Sequence, residues 1–454
     1  MQQQASFTRK WIVNLALLSI LLITTMAEAV TFYVAPAGTG SGLSPDQPTD
    51  LQSALTLAQD NGEDDTLHLR KGTYRGNFTY EPAANGEALI LAGGWNQDYS
   101  RRSTEPDATI LDGQQSGKTL QLNNWWSTVT TGDITIRSIT LRNGLSGTSN
   151  GPGGGLYAGT GSSGGITLEH VIIENNTSDA IGGGCALAAG NPKTDTGASI
   201  LLKDVIIRNN SSRGLTNPNT AEQESGRGGG CFLTAMASTR LINCLVYDNT
   251  AGTDGVYAGF GGGLYLLAFN GKVIITSSTI TGNQVYQGQP LNISNGGGIY
   301  LDTDDDSWSP SSFWIGNTIF HDNHSQLAAG ADDIVNDLQG TGAASGTVLR
   351  VDHCDYHDLV NIGLVIPVIE GNIDADPNFS RLPGKRYHLT RQSPCVDSGN
   401  NSDPYQPARD LEGKKRIIDG NRDSVPVIDM GCYEYRPSFP WTMLVPAVTH
   451  GANR

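Results

Sequence analysis

Four groups of side chains are of the right type and spacing to do chemistry. The densest is Asp302, Asp304, Asp305 and Asp306, directly after Ile299-Tyr-Leu301 and with Trp308 nearby. Paired carboxylates can hydrolyse a glycoside by sharing acid and base roles, and several carboxylate oxygens together can hold Ca²⁺. A short acidic run is also what an ordinary solvated loop looks like, so both readings stand. The second group is Asp352-His-Cys-Asp-Tyr-His-Asp358. Read as a strand, it puts His353, Asp355 and His357 on one side, a metal-ligand arrangement to which His321 and His324 would add two imidazoles. Alternation produces such sets in any polar strand, so no metal or other cofactor is expected from it; Ca²⁺ is the one cation the acidic run would suit. The third group is cationic. Arg227 and Arg213 lie in one loop, and an arginine can neutralise a substrate carboxylate while a base abstracts a proton. No base is placed beside either by the sequence.

The fourth group is aromatic and comes from a repeat. Glycine triplets stand at 153–155, 182–184, 228–230, 261–263 and 296–298, each followed by a short apolar run. If the first and third residues of each run point inward, the second points outward. Those second residues are Tyr157, Ala186, Phe232, Tyr265 and Tyr300. Stacked at about 4.8 Å per strand they form a column of rings with one gap. Loops of variable length on both sides would wall this strip into a groove, and a groove floored by rings suits the faces of sugars. Rings in such a column also stack simply to stabilise the sheet.

The elements that must carry these groups follow from a second register. Asn176, Asn210, Asn249, Asn283 and Asn323 each have an apolar residue three positions earlier: Ile173, Ile207, Val246, Ile280 and Phe320. Eight earlier stand Leu168, Leu202, Leu241, Ile275 and Ile315, and ten earlier Ile166, Ile200, Thr239, Val273 and Phe313. A spacing of two is strand periodicity, and the odd step from −8 to −3 requires a bend. Each unit is therefore one coil of short strands, and variable loops with constant strands predict a stacked solenoid. The asparagines would bond from coil to coil as an amide ladder. A β-propeller would need longer strands and a more constant repeat.

These repeats resemble right-handed parallel β-helix proteins of the pectin-lyase-like superfamily. Phe32-Tyr-Val-Ala-Pro-Ala-Gly38, Pro48-Thr-Asp-Leu-Gln-Ser-Ala-Leu55 and Asp65-Thr-Leu-His-Leu69 follow the order strand, short helix, first coil of their N-terminal cap. Leu51, Leu55 and Ala58 share one face of that helix, with Thr49 or Asp50 as N-cap. Near the other end, Gly371-Asn-Ile-Asp-Ala-Asp-Pro-Asn-Phe379, Ser393-Pro-Cys-Val-Asp-Ser-Gly399, Asp410, Gly413, Arg416 and Asp429-Met-Gly-Cys-Tyr-Glu-Tyr435 are similar to the choice-of-anchor Q module of bacterial secreted β-helix proteins. The resemblances imply an all-β solenoid: cap 30–60, coils 61–350, module 351–436 and tail 437–454. The family commonly has Ala where Cys395 and Cys432 stand, and two small positions both turned to Cys suggest a disulfide between them. Cys185 and Cys231 are the competing pair. A polygalacturonase-like hydrolase would carry Gly-His-Gly, which does not occur in this chain.

Residues 1–29 read as a signal peptide: Arg9 and Lys10, an apolar run from Trp11 to Met26, and Ala27-Glu-Ala29 for cleavage. A run of that length could also remain as an anchor. The chain carries 45 acidic and 29 basic residues, a formal charge of −16, and only 16% of its residues are charged. That balance argues against nucleic acid and anionic membranes as partners, and against polyanions unless Ca²⁺ bridges. The 57 glycines and 37% hydrophobic content still allow a packed core. The expectation is an exported bacterial protein, extracellular or on the cell surface, with no stable membrane insertion after cleavage. It would bind a polysaccharide or another surface component along its groove. A polysaccharide lyase or glycoside hydrolase, and a structural adhesin spacer, are the alternatives.

Overall fold

The structure is a computed structural model. It describes residues 29–437 apart from 83–86, 125–130, 148–150, 191–196, 217–222, 254, 270, 289–295, 304–309, 327–331 and 340–345. Residues 1–28 of the expected signal peptide (1–29), residues 438–454 of the expected tail (437–454) and Asp304 to Asp306 lie outside the described residues.

The chain winds into a parallel β-helix. Successive coils pair in constant register: Cys231 opposes Leu264, Thr239 opposes Val273, Val246 opposes Ile280 and Thr250 opposes Gln284. The stacked strands form three main sheets of 17, nine and six strands among the described residues. Like sits on like in the core. Leu120, Leu156, Cys185, Cys231, Leu264, Ile299 and Ile334 occupy one inward column and are all fully buried. Each apolar side chain so buried stabilises the fold by about 1.5–3 kcal/mol.

Two bends recur in every coil, and both need residues that accept a left-handed backbone. His170, Asp204, Asn243, Ser277 and Asn317 stand at the first, with φ between 48° and 56°. Asn175, Asn209, Asp248 and Asp322 stand at the second. Short polar side chains tolerate this region better than any other non-glycine residue. The next residue in each coil is the ladder asparagine. Asn176 Nδ2 donates to Asn210 Oδ1 (3.0 Å), Asn210 to Asn249 (3.0 Å), Asn249 to Asn283 (2.9 Å) and Asn283 to Asn323 (3.0 Å). The expected amide ladder is present.

The glycine triplets divide their labour. The first residue takes positive φ, as at Gly228 and Gly261 (63° each). The second and third sit where a Cβ would strike the next coil: at Gly229 it would lie 2.3 Å from Gly262 O, and at Gly230 2.5 Å from Gly263 O. The third corner of each coil therefore excludes side chains.

Helix α1, Leu51–Asn61, caps the first coil. Asp50 is the N-cap, its carboxylate accepting Ser53 N–H, and Gly62 closes the helix at φ 71°. Its buried face is Leu51, Ala54, Leu55 and Ala58. At the other end, residues 371–435 lie as a mostly irregular strap across the first bend. Asn243 Nδ2 donates to Arg409 O (2.6 Å), Thr276 Oγ1 to Asp403 (2.5 Å), and Cys432 N to Thr279 Oγ1 (3.1 Å). The motif residues of this strap hold it together. Arg416 is fully buried and donates to Gly431 O (3.1 Å) with Glu434 at 3.9 Å, while Asp429 accepts Asp397 N–H (2.7 Å) and Asp410 accepts Lys414 N–H (2.8 Å).

The cysteines correct the sequence expectation. Cys185 and Cys231 form the disulfide, as register partners with Cα atoms 4.7 Å apart. Cys395 and Cys432 are free thiols. Cys395 packs with Ile319, Leu389 and Met430 and donates to Asp355 Oδ2 (3.1 Å), whereas Cys432 packs with Leu245 and Tyr387 in a separate cluster. Both positions need a small side chain for their own pockets; that need does not make them neighbours. Burial pushes the Cys432 thiol up to about 12.

Candidate functional site

The outward column of the nine-stranded sheet runs Gln121, Tyr157, Ala186, Phe232, Tyr265, Tyr300, Val335. Phe232 and Tyr265 stack with centroids 5.3 Å apart and planes at 16°; Tyr265 and Tyr300 stack at 5.1 Å and 9°. The predicted column of rings exists, but half of it is closed. Tyr265 is 4% exposed and Tyr300 3%. Ala258 and Phe260 pack over them, with Phe260 edge-on to Tyr300 at 5.2 Å. Strand Gly259–Phe260 is held in place by pairing with Gly226–Arg227. Those two rings are therefore interior packing and not an open platform.

Their hydroxyls serve a half-buried polar pair. Tyr265 donates to Asp302, and Tyr300 donates to Asp337 (2.5 Å). Asp302 and Asp337 are register partners on adjacent coils. Burial pushes the Asp302 carboxyl up to about 6, with the Asp337 charge adding to the rise and the Tyr265 hydroxyl opposing it. Arg227 lies over the Tyr265 ring at 5.5 Å and is itself exposed. Arg213 turns away, 3.6 Å from Asp179.

The other half of the column is open. Tyr157 and Phe232 are half-buried, and Ala186 stands between them. Two coil spacings put the rings roughly 10 Å apart along the stack. The neighbouring outward positions, Gly159, Ala188 and Thr234, are small as well. The result is a cavity of about 360 Å³ whose floor is Ala186 and Ala188 and whose walls include Asn123, Pro152, Tyr157 and Phe232. The disulfide lies directly beneath, since Cys185 precedes Ala186 and Cys231 precedes Phe232. Lys118 sits against the Tyr157 ring at 4.8 Å, and burial lowers its ammonium to about 8.

Solved structures share parts of this architecture. A pectate lyase, Pel9A, aligns over 90% of this chain and 97% of its own at 12% identity and a TM-score of 0.46. A pectin methylesterase from carrot covers 66% of this chain and 85% of its own (14% identity, TM-score 0.28). Escherichia coli YbhC covers 76% and 85% (11% identity, TM-score 0.24). No protein-family model matches the chain, and no curated protein sequence does. The fold assignment rests on the strand registers above.

The metal trio is separated by the fold. The strand Val348–Asp352 ends before it, and His353 occupies a bend at φ 50°, bonded to Asp352. The alternation that would have aligned His353 with Asp355 and His357 is broken there. Asp355 and His357 instead share a cleft of about 560 Å³ with His321, His324, Asp332 and Asp374. Elsewhere Glu169, His170 and Asp204 converge, but Lys203 Nζ is 2.8 Å from Glu169 and 3.9 Å from Asp204, so a cation is already supplied. Asp337 and Lys118 were not legible as site residues. Counting back one coil from the triplet at 153 leads to Gly117-Lys-Thr119, and counting forward from Asp302 leads to Asp337, but neither position carries the glycine signature.

Proposed function

We propose that this is an exported protein, extracellular or on the bacterial surface, that binds a neutral glycan in the slot between Tyr157 and Phe232. The supporting observation is the gap itself: a stack of rings in which one coil carries alanine, leaving two aromatic faces around a small-residue floor. A sugar ring presents C–H groups on both faces and is thicker than an aromatic ring, which suits a gap of one missing ring. The net charge of −16 favours a neutral polymer, or one bridged by Ca²⁺. The likeness of the C-terminal strap to the choice-of-anchor Q module, and the disulfide, support export. Among the described residues no helix is long and apolar enough to cross a membrane.

The test is an array of neutral polysaccharides followed by calorimetry on the strongest hit. Tyr157→Ala removes one ring that stacks on no other ring in the column, so affinity should fall about tenfold for a loss near 1.4 kcal/mol. Added salt should leave binding unchanged, since apolar contact is not screened. An array without a hit would remove the reading and favour a structural spacer.

A second reading, glycoside hydrolysis, has one observation in its favour. Asp302 and Asp337 are stacked on adjacent coils, and adjacent-coil spacing of about 4.8 Å is near the carboxylate separation of retaining glycosidases. Release of reducing ends from a bound polymer, abolished in Asp337→Asn, would establish it. A bound polymer that stays intact would end it.

A further inference from the structure

The geometry points to a site for a divalent transition-metal cation of the zinc class, held by His324, Asp332, His357 and Asp374 where the last coils meet the C-terminal strap. Through five coils the triplet corner is glycine because a Cβ would collide with the next coil. By register, Ile299 opposes Ile334 and Ile334 opposes Leu359, so the positions equivalent to Gly297 are Asp332 and then His357. In the last two coils the corner thus changes from the barest residue to two metal-ligand types, one above the other. Gly297 is also the point at which His324 comes close: a Cβ there would lie 2.6 Å from His324 N and 2.5 Å from Asp332 O. Asp374 enters from the strap.

Within each of two His–Asp pairs the spacing suits a small tetrahedral ion. Zinc bonds of about 2.0–2.1 Å at tetrahedral angles put neighbouring donor atoms about 3.4 Å apart. His357 Nδ1 is 3.3 Å from both carboxylate oxygens of Asp374, and His324 Nδ1 is 3.8 Å from Asp332 Oδ1. Two imidazoles and two carboxylates would complete four ligands and neutralise a 2+ charge. As they stand, no three of these four donor atoms lie within 4.8 Å of one another; the side chains are 39–76% exposed, and bringing the two pairs onto one ion takes rotation about their own bonds.

The backbone that carries them is fixed. Asp358 accepts the N–H groups of Asp332 (3.0 Å) and Asp333 (2.8 Å), Asp333 accepts His357 N–H (2.8 Å), and Asp332 accepts Ser325 N–H (2.7 Å). The described residues lining the cleft include Asp322, Asp355 and Asp376 but no lysine or arginine. This is the contrast with Glu169, His170 and Asp204, where Lys203 already neutralises the carboxylates. An ion here would tie two coils to the strap, and its ligands are far along the chain from the glycan slot.

The test is calorimetry of the metal-stripped protein with Zn²⁺ alone and with Ca²⁺ alone, paired with thermal melting. One equivalent of Zn²⁺ should bind and raise the melting temperature. His357→Ala with Asp374→Asn should weaken binding about 100-fold and abolish the rise, while Glu169→Gln should change neither. Both substituted side chains are exposed, so the double variant should melt as the metal-free protein does. If it does not, His324→Gln provides the same reading. Absence of Zn²⁺ binding, undiminished binding in the folded variants, loss of binding in Glu169→Gln, or binding of Ca²⁺ in preference to Zn²⁺ would overturn the assignment.

Discussion

Replacing Ala186 by Phe would complete the ring stack and close the glycan slot in one step. Ala186 is the register partner of both Tyr157 and Phe232, and the occupied part of the column shows what an added ring would do. There the rings lie 5.1–5.3 Å apart and within 16° of parallel. Two new ring contacts at about 0.5–1.5 kcal/mol each would contribute roughly 1–3 kcal/mol beyond buried area. Ordering the new side chain costs about 0.5–1 kcal/mol, leaving a net gain of up to roughly 2.5 kcal/mol. The added ring would also occupy a cavity of only about 360 Å³ in total. Urea unfolding should therefore show Ala186→Phe more stable than the parent, and calorimetry should show glycan binding abolished. Two outcomes would refute the reasoning. A destabilised Ala186→Phe would mean that the walls at Pro152 and Ile181 leave no room for a ring, so the gap is not a missing rung. A stable Ala186→Phe that still binds glycan would move the binding site elsewhere.

Peptide mapping without reductant should find one disulfide, Cys185–Cys231, and free thiols at Cys244, Cys354, Cys395 and Cys432. Cys185→Ser with Cys231→Ser opens a loop with a sequence separation of 46, and loop entropy sets the loss at about 4 kcal/mol in urea unfolding. Asn249→Ala removes a buried side chain that donates to Asn283 Oδ1 and Ile207 O and accepts from Asn210 N and Nδ2. Leaving Asn210 N–H without an acceptor in the core, together with the cavity, should cost roughly 3–5 kcal/mol; a loss under about 1 kcal/mol would deny the ladder its role.

Much of the fold could be read from the chain because a stacked coil repeats its constraints. Asn175-Asn176, Asn209-Asn210, Asp248-Asn249 and Asp322-Asn323 each pair a residue for the left-handed bend with a residue for the ladder. Glycine triplets report backbone contacts that no side chain can survive. The site was less legible, for three physical reasons. Tyr265 and Tyr300 point outward from the sheet as alternation requires, but outward is not exposed when the segment Ala258–Phe260, just before the Gly261 triplet, folds across. The His353 bend interrupts alternation at a position where the residue type gives no warning. The open slot owes its existence to Ala186, and an absent side chain in one repeat reads as noise until the register is known. Where the glycine signature ends, its successors still occupy the same corner: Lys118 on one side, Asp332 and His357 on the other. Chemistry-bearing residues enter that corner only in coils outside the all-glycine run.

The same stacking makes Asp302 a reporter of how closed the ring column is. Burial disfavours its charge and pushes its carboxyl up to about 6, from 3.8 in a free side chain. A folded pKa above the unfolded one means that the folded state holds the proton more tightly. The stability this contributes is complete below about pH 4 and is lost as pH rises through about 6, a total of roughly 3 kcal/mol. Asp302→Asn keeps an acceptor for the Tyr265 hydroxyl but cannot ionise. In urea unfolding it should match the parent near pH 4 and exceed it by up to about 3 kcal/mol near pH 8. If the difference were the same at both pH values, the carboxylate would be solvated, and Phe260 would not seal the column. Tyr265 and Tyr300 would then be open to a sugar, and the binding strip would extend along all four rings.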